Sequence, residues 1–252
     1  MYLCIMKKYG LIGKSLTHSW SPKWFAEKFA HLGITNAEYR LYEMDSVANL
    51  RQWAIENQID GFNVTIPYKE AVMEFLDVVN PSARTIGAVN CVVREGTCLV
   101  GHNTDAPAFA QTLAPLLRPW HTQALVLGTG GAAKAVTYGL GTLGIEATLV
   151  SRTPQSHPGA ITYSQASQRS STHLLIVNAT PVGMSRLAGL SPWPYPHMLT
   201  PRHLCYDLVY NPSPTAFLIQ AAQAGATVCD GLAMLHTQAE LSWQLWTASS
   251  PQ

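Results

Sequence analysis

The chain has 252 residues, 47% of them hydrophobic and only 12% charged, with a formal net charge of +1. Such a composition suits one large core or two modest ones and excludes disordered and coiled-coil classes. No apolar run reaches the length of a membrane span, "MYLCIMKKYG" is too short and wrongly flanked for a signal peptide, and the nine histidines and five cysteines show no metal-ligand spacing. The cysteines (Cys4, Cys91, Cys98, Cys205, Cys229) are odd in number and mostly in apolar contexts. They are expected to be buried free thiols in a reducing, cytoplasmic compartment, with no metal bound. Met6-Lys7-Lys8 reads equally well as the natural start, which would make Met1 to Ile5 an extension.

The first part alternates strand and helix signals. "YGLIG" (Tyr9–Gly13) reads as a strand. A helix follows with Ser21 as N-cap, Pro22 in its first turn and Gly33 past its end, and Trp24, Phe25, Ala26, Phe29 and Leu32 make its apolar face. "EYRLYEM" reads as strand and "VANLRQWAIENQ" as helix. In "GFNVTIPYKE" (Gly61–Glu70), Phe62, Val64 and Ile66 alternate with Asn63 and Thr65 as in a half-buried strand, and a helical pattern starts at Glu70. Lys69 then sits in a first helical turn, facing the positive end of a helix dipole. Ala88–Asn103 reads as a hairpin turning at Glu95-Gly96, and "TDAPAFAQTLAPLL" as a capped helix ending near Arg118-Pro119.

A different rhythm follows, with apolar runs at Ala124–Leu127, Ala147–Val150, Leu174–Val177, Leu204–Val209 and Thr227–Cys229. Near-continuous apolar strands separated by helical segments indicate a parallel sheet covered on both faces. "SQASQRSSTH" and "SPWPYPHMLTP" read as loops, and "GLAMLHTQAELSWQLW" as a closing helix. The expected fold is α/β in two domains. Residues 1–104, joined by a C-terminal helix 232–252, form a substrate-binding domain, and residues 105–231 a Rossmann-like dinucleotide-binding domain, with a ligand cleft between them that closes by a hinge.

"ALVLGTGGAAKAV" places Gly128, Gly130 and Ala133 in a G-x-G-x-x-A pattern between a strand and a helix. The first glycine allows the tight turn, the second lets backbone approach a pyrophosphate, and the small third residue lets the helix sit close to the strand. At the end of the next strand, where a free ribose 2′-hydroxyl calls for Asp or Glu, stands Ser151-Arg152-Thr153. A guanidinium suits a 2′-phosphate that a carboxylate would repel, so NADP is expected over NAD. Residues 106–206 agree, with six Lys or Arg and a single acid, Glu146. Cations so dispersed suit a compact polyanion better than a nucleic acid.

Taken together, "HSWSP", "GFNVTIPYK", "IGAVN", "HNTD", "GTGGAAK", "SRT", "NATPVGM", "YDLVYNPSPTAFL" and "DGLAML…Q" resemble the shikimate dehydrogenase family, in the family's order and over nearly the whole chain. The resemblance implies reversible reduction of 3-dehydroshikimate to shikimate with NADPH, in aromatic amino-acid biosynthesis. It implies Lys69 and Asp105 as the catalytic pair. Ser19, Ser21 and Tyr210 would hold the substrate carboxylate, and Thr65, Asn90, Asp105 and Gln238 the ring hydroxyls. Gly128, Thr129, Gly130, Gly131 and Ala132 would meet the pyrophosphate, and Ser151, Arg152 and Thr153 the 2′-phosphate. Asn178, Thr180, Leu208 and Gly231 would complete the cofactor site. By residue type alone, Lys69 is equally a surface cation, Asp105 and Ser21 helix caps, Asn90 a turn residue and Gln238 an exposed helix position.

The chain departs from the family pattern at Ser15 (usually Pro), His102 (usually Asp) and Ala233 (usually Gly), and is short between Thr153 and Leu174. Two other readings stay open: a quinate-oxidising relative that uses NAD, and a non-catalytic NADP-binding sensor. The expected partners are small molecules, with no nucleic acid or membrane, in a monomer or homodimer.

Overall fold

The computed structural model describes residues 6–17 and 19–248. Met1 to Ile5 (with Cys4), His18 and residues 249–252 lie outside the described residues. The chain divides into two compact units, one running to Thr104 and resuming at Gln238, the other spanning Asp105–Thr237.

The first unit contains β1 (Lys7–Gly13), α1 (Ser21–His31), β2 (Ala37–Glu43), α2 (Leu50–Glu56), β3 (Gly61–Val64), β4 (Val78–Val79), α3 (Pro81–Ile86), β5 (Cys91–Glu95) and β6 (Cys98–His102). Its strands form one mixed sheet in the order β2-β1-β3-β5-β6-β4. β1 is parallel to β2 and β3, β3 is antiparallel to β5, and β5 to β6. One face carries Ile12, Leu50, Ala54, Phe62, Val64 and Val72. The other carries Tyr9, Phe25, Phe29, Cys91, Val93 and Trp246, the last from α8 (Leu232–Ala248). Burying each such side chain contributes roughly 1.5–3 kcal/mol. Tyr9 stacks on Trp246 at 4.8 Å and Phe25 on Tyr39 at 4.1 Å between ring centroids. Gly61 has no room for a side chain because the Trp246 indole lies against it.

Local chemistry differs from expectation at several points. Trp20, not Ser21, is the N-cap of α1, and Ser21 is the first helical residue and is buried. The far end follows the pattern, since Gly33 turns left-handed (φ 66°) while Gly33 and Ile34 donate to the Ala30 and Phe29 carbonyls. Leu32 and Ala26 are exposed, so the buried stripe of α1 narrows to Phe25 and Phe29. No α-helix starts at Glu70; residues 71–75 form a 3-10 turn. The Asp77 amide donates to the Leu99 carbonyl and its carboxylate accepts from the Leu99 amide, drawing the chain into β4 before a helix can propagate. Lys69 therefore lies in a turn, and the dipole argument for it lapses. The hairpin turns at Gly96 and Thr97, between paired Glu95 and Cys98.

The second unit contains α4 (Asp105–Leu113), β7 (Gln123–Leu127), α5 (Gly131–Thr142), β8 (Glu146–Val150), α6 (Tyr163–Arg169), β9 (Leu175–Asn178), β10 (Leu204–Asp207), α7 (Ala216–Gln223) and β11 (Thr227–Cys229). Its sheet is wholly parallel in the order β11-β10-β9-β7-β8, a Rossmann-like, doubly wound arrangement with its switch point between β7 and β9. The central strands β9 and β10 are completely buried, whereas the edge strands β8 and β11 are partly exposed. α4 ends at Leu113, where Pro115 turns the chain into a 3-10 segment short of Arg118. "SQASQRSSTH" is not a loop. Thr162 and Gln165 form a reciprocal capping box that starts α6, and Ala166 fills the core beneath it. "SPWPYPHMLTP" lacks a long element, yet its Trp193 is buried with Leu125, Cys205 and Phe217. Cys91 and Cys205 are buried free thiols, while Cys98 and Cys229 are half-buried. Among the described residues, no helix is long and apolar enough to cross a membrane.

Candidate active site

In the first unit the candidate substrate residues lie on the segments leaving β1 and β3 and on the approach to Asp105. Leu16, buried, anchors the loop after β1, its amide donating to Glu43 Oε1 at 2.7 Å. Ser19 is half-buried, and its hydroxyl accepts the Ser21 amide at 3.3 Å. Thr65 leaves β3 with its amide on the Ile12 carbonyl. A Cβ on Gly13 would stand 2.7 Å from Thr65 Cγ2, so only glycine lets these two segments lie so close. The turn carrying Lys69 is held on both sides. The Tyr68 hydroxyl donates to the Met44 carbonyl at 2.6 Å, and the Lys69 carbonyl accepts the Val89 amide at 2.7 Å. Lys69 itself is half-buried.

Beneath these residues runs a chain of neutral hydrogen bonds that sequence reasoning missed. Ser21 bonds to the Tyr39 hydroxyl, which burial pushes far above the ordinary tyrosine range. Tyr39 donates to Asn63 Oδ1 at 3.0 Å, and Asn63 Nδ2 donates to the Asn90 carbonyl and to Ser242 Oγ at 2.8 Å. Ser242, fully enclosed, donates to the Gln238 carbonyl and lies 3.3 Å from Thr104 Oγ1. Thr104 closes the chain on Asn90, which donates to its hydroxyl at 2.9 Å and accepts its amide at 2.6 Å. Asn63 therefore serves the structure, spending its oxygen on Tyr39 and its amide on Asn90 and Ser242. The only sequence signal for it was the shared face of Asn63 and Thr65. Four candidates, Ser21, Asn90, Gln238 and Thr104's neighbour Asp105, are fixed by this chain directly or through one covalent step. Asp105 is buried as the first residue of α4, and Asn103 ties the same approach to the Ala88 carbonyl. His102, half-buried beside it, has its pKa lowered by burial, with Glu95 partly offsetting the effect.

In the second unit the glycine loop leaves β7 at the switch point. Gly128 has φ 113°, and a Cβ there would meet Thr180 Cγ2 at 3.1 Å and the Ala179 carbonyl oxygen at 3.2 Å. Gly130 is the N-cap of α5 and is exposed, with open space where a Cβ would stand. The first amides of a helix have no partner within it, so Gly131 and Ala132 present donors to an anion there. Thr129 holds the loop to the chain after β8 through a 3.1 Å contact with His157 Nε2. Arg152 and Thr153 are exposed at the end of β8, and Ser151 Oγ accepts the Thr153 amide. A tight loop, a helix N-terminus and an exposed guanidinium fit the phosphates of a dinucleotide.

Leu208 and Gly231 are brought together, since a Cβ on Gly231 would occupy the place of the Leu208 carbonyl. Tyr210 lies in this unit and is half-buried. Asn178 is completely enclosed. Its amide donates to the Val182 carbonyl and to Asp207 Oδ1, and its oxygen accepts from the amide and hydroxyl of Thr180. It shapes the turn carrying Thr180. Asp207, absent from the sequence-based candidates, is equally enclosed and lies at the end of β10. Burial raises its carboxyl to about 6, opposed by hydrogen bonds from Thr215, Val209 and Asn178.

Known proteins share both halves of this arrangement. The family model described as the shikimate dehydrogenase substrate binding domain matches residues 11–92. A shikimate dehydrogenase (NADP(+)) of Desulforamulus reducens is 35% identical over 94% of this chain and 89% of its own length. The crystal structure of shikimate 5-dehydrogenase from Thermus thermophilus, in complex with NADP(H) and shikimate, superposes with a TM-score of 0.84 at 35% identity, covering 98% of this chain and 95% of that one. A quinate dehydrogenase of Corynebacterium glutamicum in complex with NAD gives a TM-score of 0.84 at 27% identity, covering 96% of this chain and 94% of that one.

Proposed function

This chain belongs to the shikimate dehydrogenase family, and from that membership we infer its reaction, the NADP-dependent reversible reduction of 3-dehydroshikimate to shikimate. It is an oxidoreductase of aromatic amino-acid biosynthesis. The observation that carries the reading at the level of residues is the joint fixing of Ser21, Thr104, Asn90 and Gln238 by one hydrogen-bond chain, with Asp105 next along the backbone.

Residues 1–104 with the end of α8 serve as the substrate-binding unit and residues 105–231 as the cofactor unit. Ser19, Ser21 and Tyr210 hold the substrate carboxylate with hydroxyl donors. Thr65, Asn90, Asp105 and Gln238 bond the ring hydroxyls, which demand both donors and acceptors. Asn90 is suited to this because its amide has a second hydrogen and its oxygen a second lone pair beyond those spent on Thr104. Lys69 and Asp105 are the catalytic pair. In the oxidising direction the hydroxyl proton must leave as hydride departs from the same carbon, and Lys69 takes that proton. In the reducing direction Lys69 returns it to the carbonyl oxygen. Asp105 binds the neighbouring hydroxyl.

When bound, NADP accepts or supplies the hydride. The amides of Thr129 to Ala132 hold its pyrophosphate, and Ser151, Arg152 and Thr153 hold its 2′-phosphate. Thr180, Leu208 and Gly231 line the remainder, with Asn178 acting through Thr180. Buried and half-buried free thiols support a cytoplasmic location, and the dispersed cations of residues 106–206 support a compact anionic ligand. The test is steady-state turnover with shikimate and quinate, each with NADP and NAD. The shikimate–NADP pair should have the highest kcat/KM. A preference for quinate with NAD would overturn the assignment.

A further inference from the structure

Asp207 has no role in the chemistry above, yet its carboxylate accepts three hydrogen bonds at the cofactor edge of the sheet. It is fully enclosed, with Oδ1 accepting from Asn178 Nδ2 at 2.8 Å and from the Val209 amide at 2.9 Å, and Oδ2 accepting from Thr215 Oγ1 at 2.7 Å. These donors come from three places: the end of β9, the segment after β10 and the N-cap of α7. Each controls a stretch of backbone. Asn178 also holds the Val182 carbonyl and both polar groups of Thr180, and Ala179 and Thr180 pack on Gly128. The Val209 carbonyl accepts the Gly231 amide at 3.3 Å, bringing Gly231 onto the Leu208 backbone. In a parallel sheet of this order, ligands bind at the carboxyl ends of the strands beside the switch point, where these segments lie.

We propose that Asp207 is a positioning residue for the cofactor: by gathering Asn178, Val209 and Thr215 on one carboxylate, it holds the Thr180 turn and the Leu208–Gly231 contact in the arrangement that receives NADP. The inference rests on the reading of this unit as the cofactor unit. Asp207 is completely enclosed, so it acts through the Asn178 and Thr215 side chains and the Val209 backbone that it holds. Shape and acceptor count matter more than charge. In Asp207→Asn the amide oxygen keeps the Asn178 and Val209 bonds, and its nitrogen donates to Thr215 once that hydroxyl rotates. In Asp207→Ala all three donors lose their acceptor.

The experiment measures dissociation constants of NADP and of adenosine 2′,5′-bisphosphate for the wild type, Asp207→Ala, Asp207→Asn and Thr215→Val, with KM for NADP and for shikimate beside them. The bisphosphate engages the Arg152 side and the glycine loop and leaves the Leu208–Gly231 side empty. Asp207→Ala should weaken NADP about tenfold or more and Thr215→Val about threefold, with Asp207→Asn within about threefold of wild type. Bisphosphate affinity and the KM for shikimate should stay within about twofold, since damage confined to these turns spares both. Equal loss of NADP and bisphosphate would indicate general damage to the unit and overturn the proposal. So would unchanged NADP affinity in either folded disrupting variant, or an Asp207→Asn as impaired as Asp207→Ala. Thr215→Val decides the matter should Asp207→Ala fail to fold. Wild-type protein that binds no NADP would overturn the cofactor reading and this role together, whereas normal NADP binding by the wild type makes the variants a test of Asp207 alone.

Discussion

Under the proposed substrate residues of the first unit, Tyr39, Asn63, Thr104 and Ser242 satisfy one another with neutral groups alone. Under the proposed cofactor turns of the second, three donors converge on one carboxylate with no cation among them. The first solution is cheap to desolvate and does not titrate near neutrality. The second gains stronger, charge-assisted bonds and accepts a desolvation cost, visible in the raised carboxyl of Asp207. A ring of hydroxyls wants many modest, well-aimed partners, and a dinucleotide wants its surrounding turns held rigidly. The two substructures differ accordingly.

The contrast is sharpest where charge meets ligand. Arg152→Asp should weaken NADP binding by roughly 10–100-fold, the loss of a charge-assisted contact, while NAD affinity changes little. Titration calorimetry with both dinucleotides checks this, and equal losses would remove Arg152 from the 2′-phosphate site. On the neutral side, Asn63→Ala strands the Tyr39 and Ser242 hydroxyls in a closed space. Urea unfolding should show about 1–3 kcal/mol of lost stability. The KM for shikimate should rise while that for NADP holds, and a variant as stable as wild type with an unchanged shikimate KM would show the network to be dispensable.

The smallest effect concerns pH. His121, His173 and His203 stand just before β7, β9 and β10, at the end of the sheet opposite the glycine loop, and all three are buried. His203 accepts the Thr200 amide at Nδ1 and lies 3.0 Å from the Ser170 carbonyl at Nε2, a pattern only the neutral ring satisfies. Burial lowers the pKa of each, with Arg118 and Arg202 adding to the effect at His121 and Arg169 at His173. The unfolded rings bind protons first, so this contribution is complete above about pH 6.5 and is lost as pH falls through the lowered folded values. Asp207 acts oppositely. Its carboxyl is raised to about 6, so its contribution is complete below the ordinary carboxylate range and is lost as pH rises through that value. Thermal unfolding should therefore show stability declining from pH 7 to 5, more steeply in Asp207→Asn. A shallower decline in the variant would contradict the sign.

Much of this was legible in the sequence. The alternation of apolar runs foretold the parallel sheet because its central strands are covered on both faces, and the glycine loop foretold the tight turn that Gly128 makes at φ 113°. What escaped was decided by contacts distant in sequence. The Glu70 pattern is helical in period, but β4 pairing and the Asp77–Leu99 bonds cut it to a 3-10 turn. "SQASQRSSTH" is polar enough to pass for a loop, and the signal that mattered, Thr162 three residues before Gln165, stood just at its edge. Asn63 and Asp207 were invisible as structural residues because their partners, Ser242 and Asn178, lie 179 and 29 positions away.

Lys69 carries the proposed proton transfer, and its most direct test is the rate of NADPH formation from shikimate and NADP by wild type and Lys69→Ala, with NADP binding measured in parallel. Loss of an acid–base group should lower kcat by about 10²–10⁴-fold while NADP affinity stays within about twofold. A variant that binds NADP and turns over shikimate within a few-fold of wild type would show that the proton goes elsewhere, and the proposed pairing of Lys69 with Asp105 would be wrong.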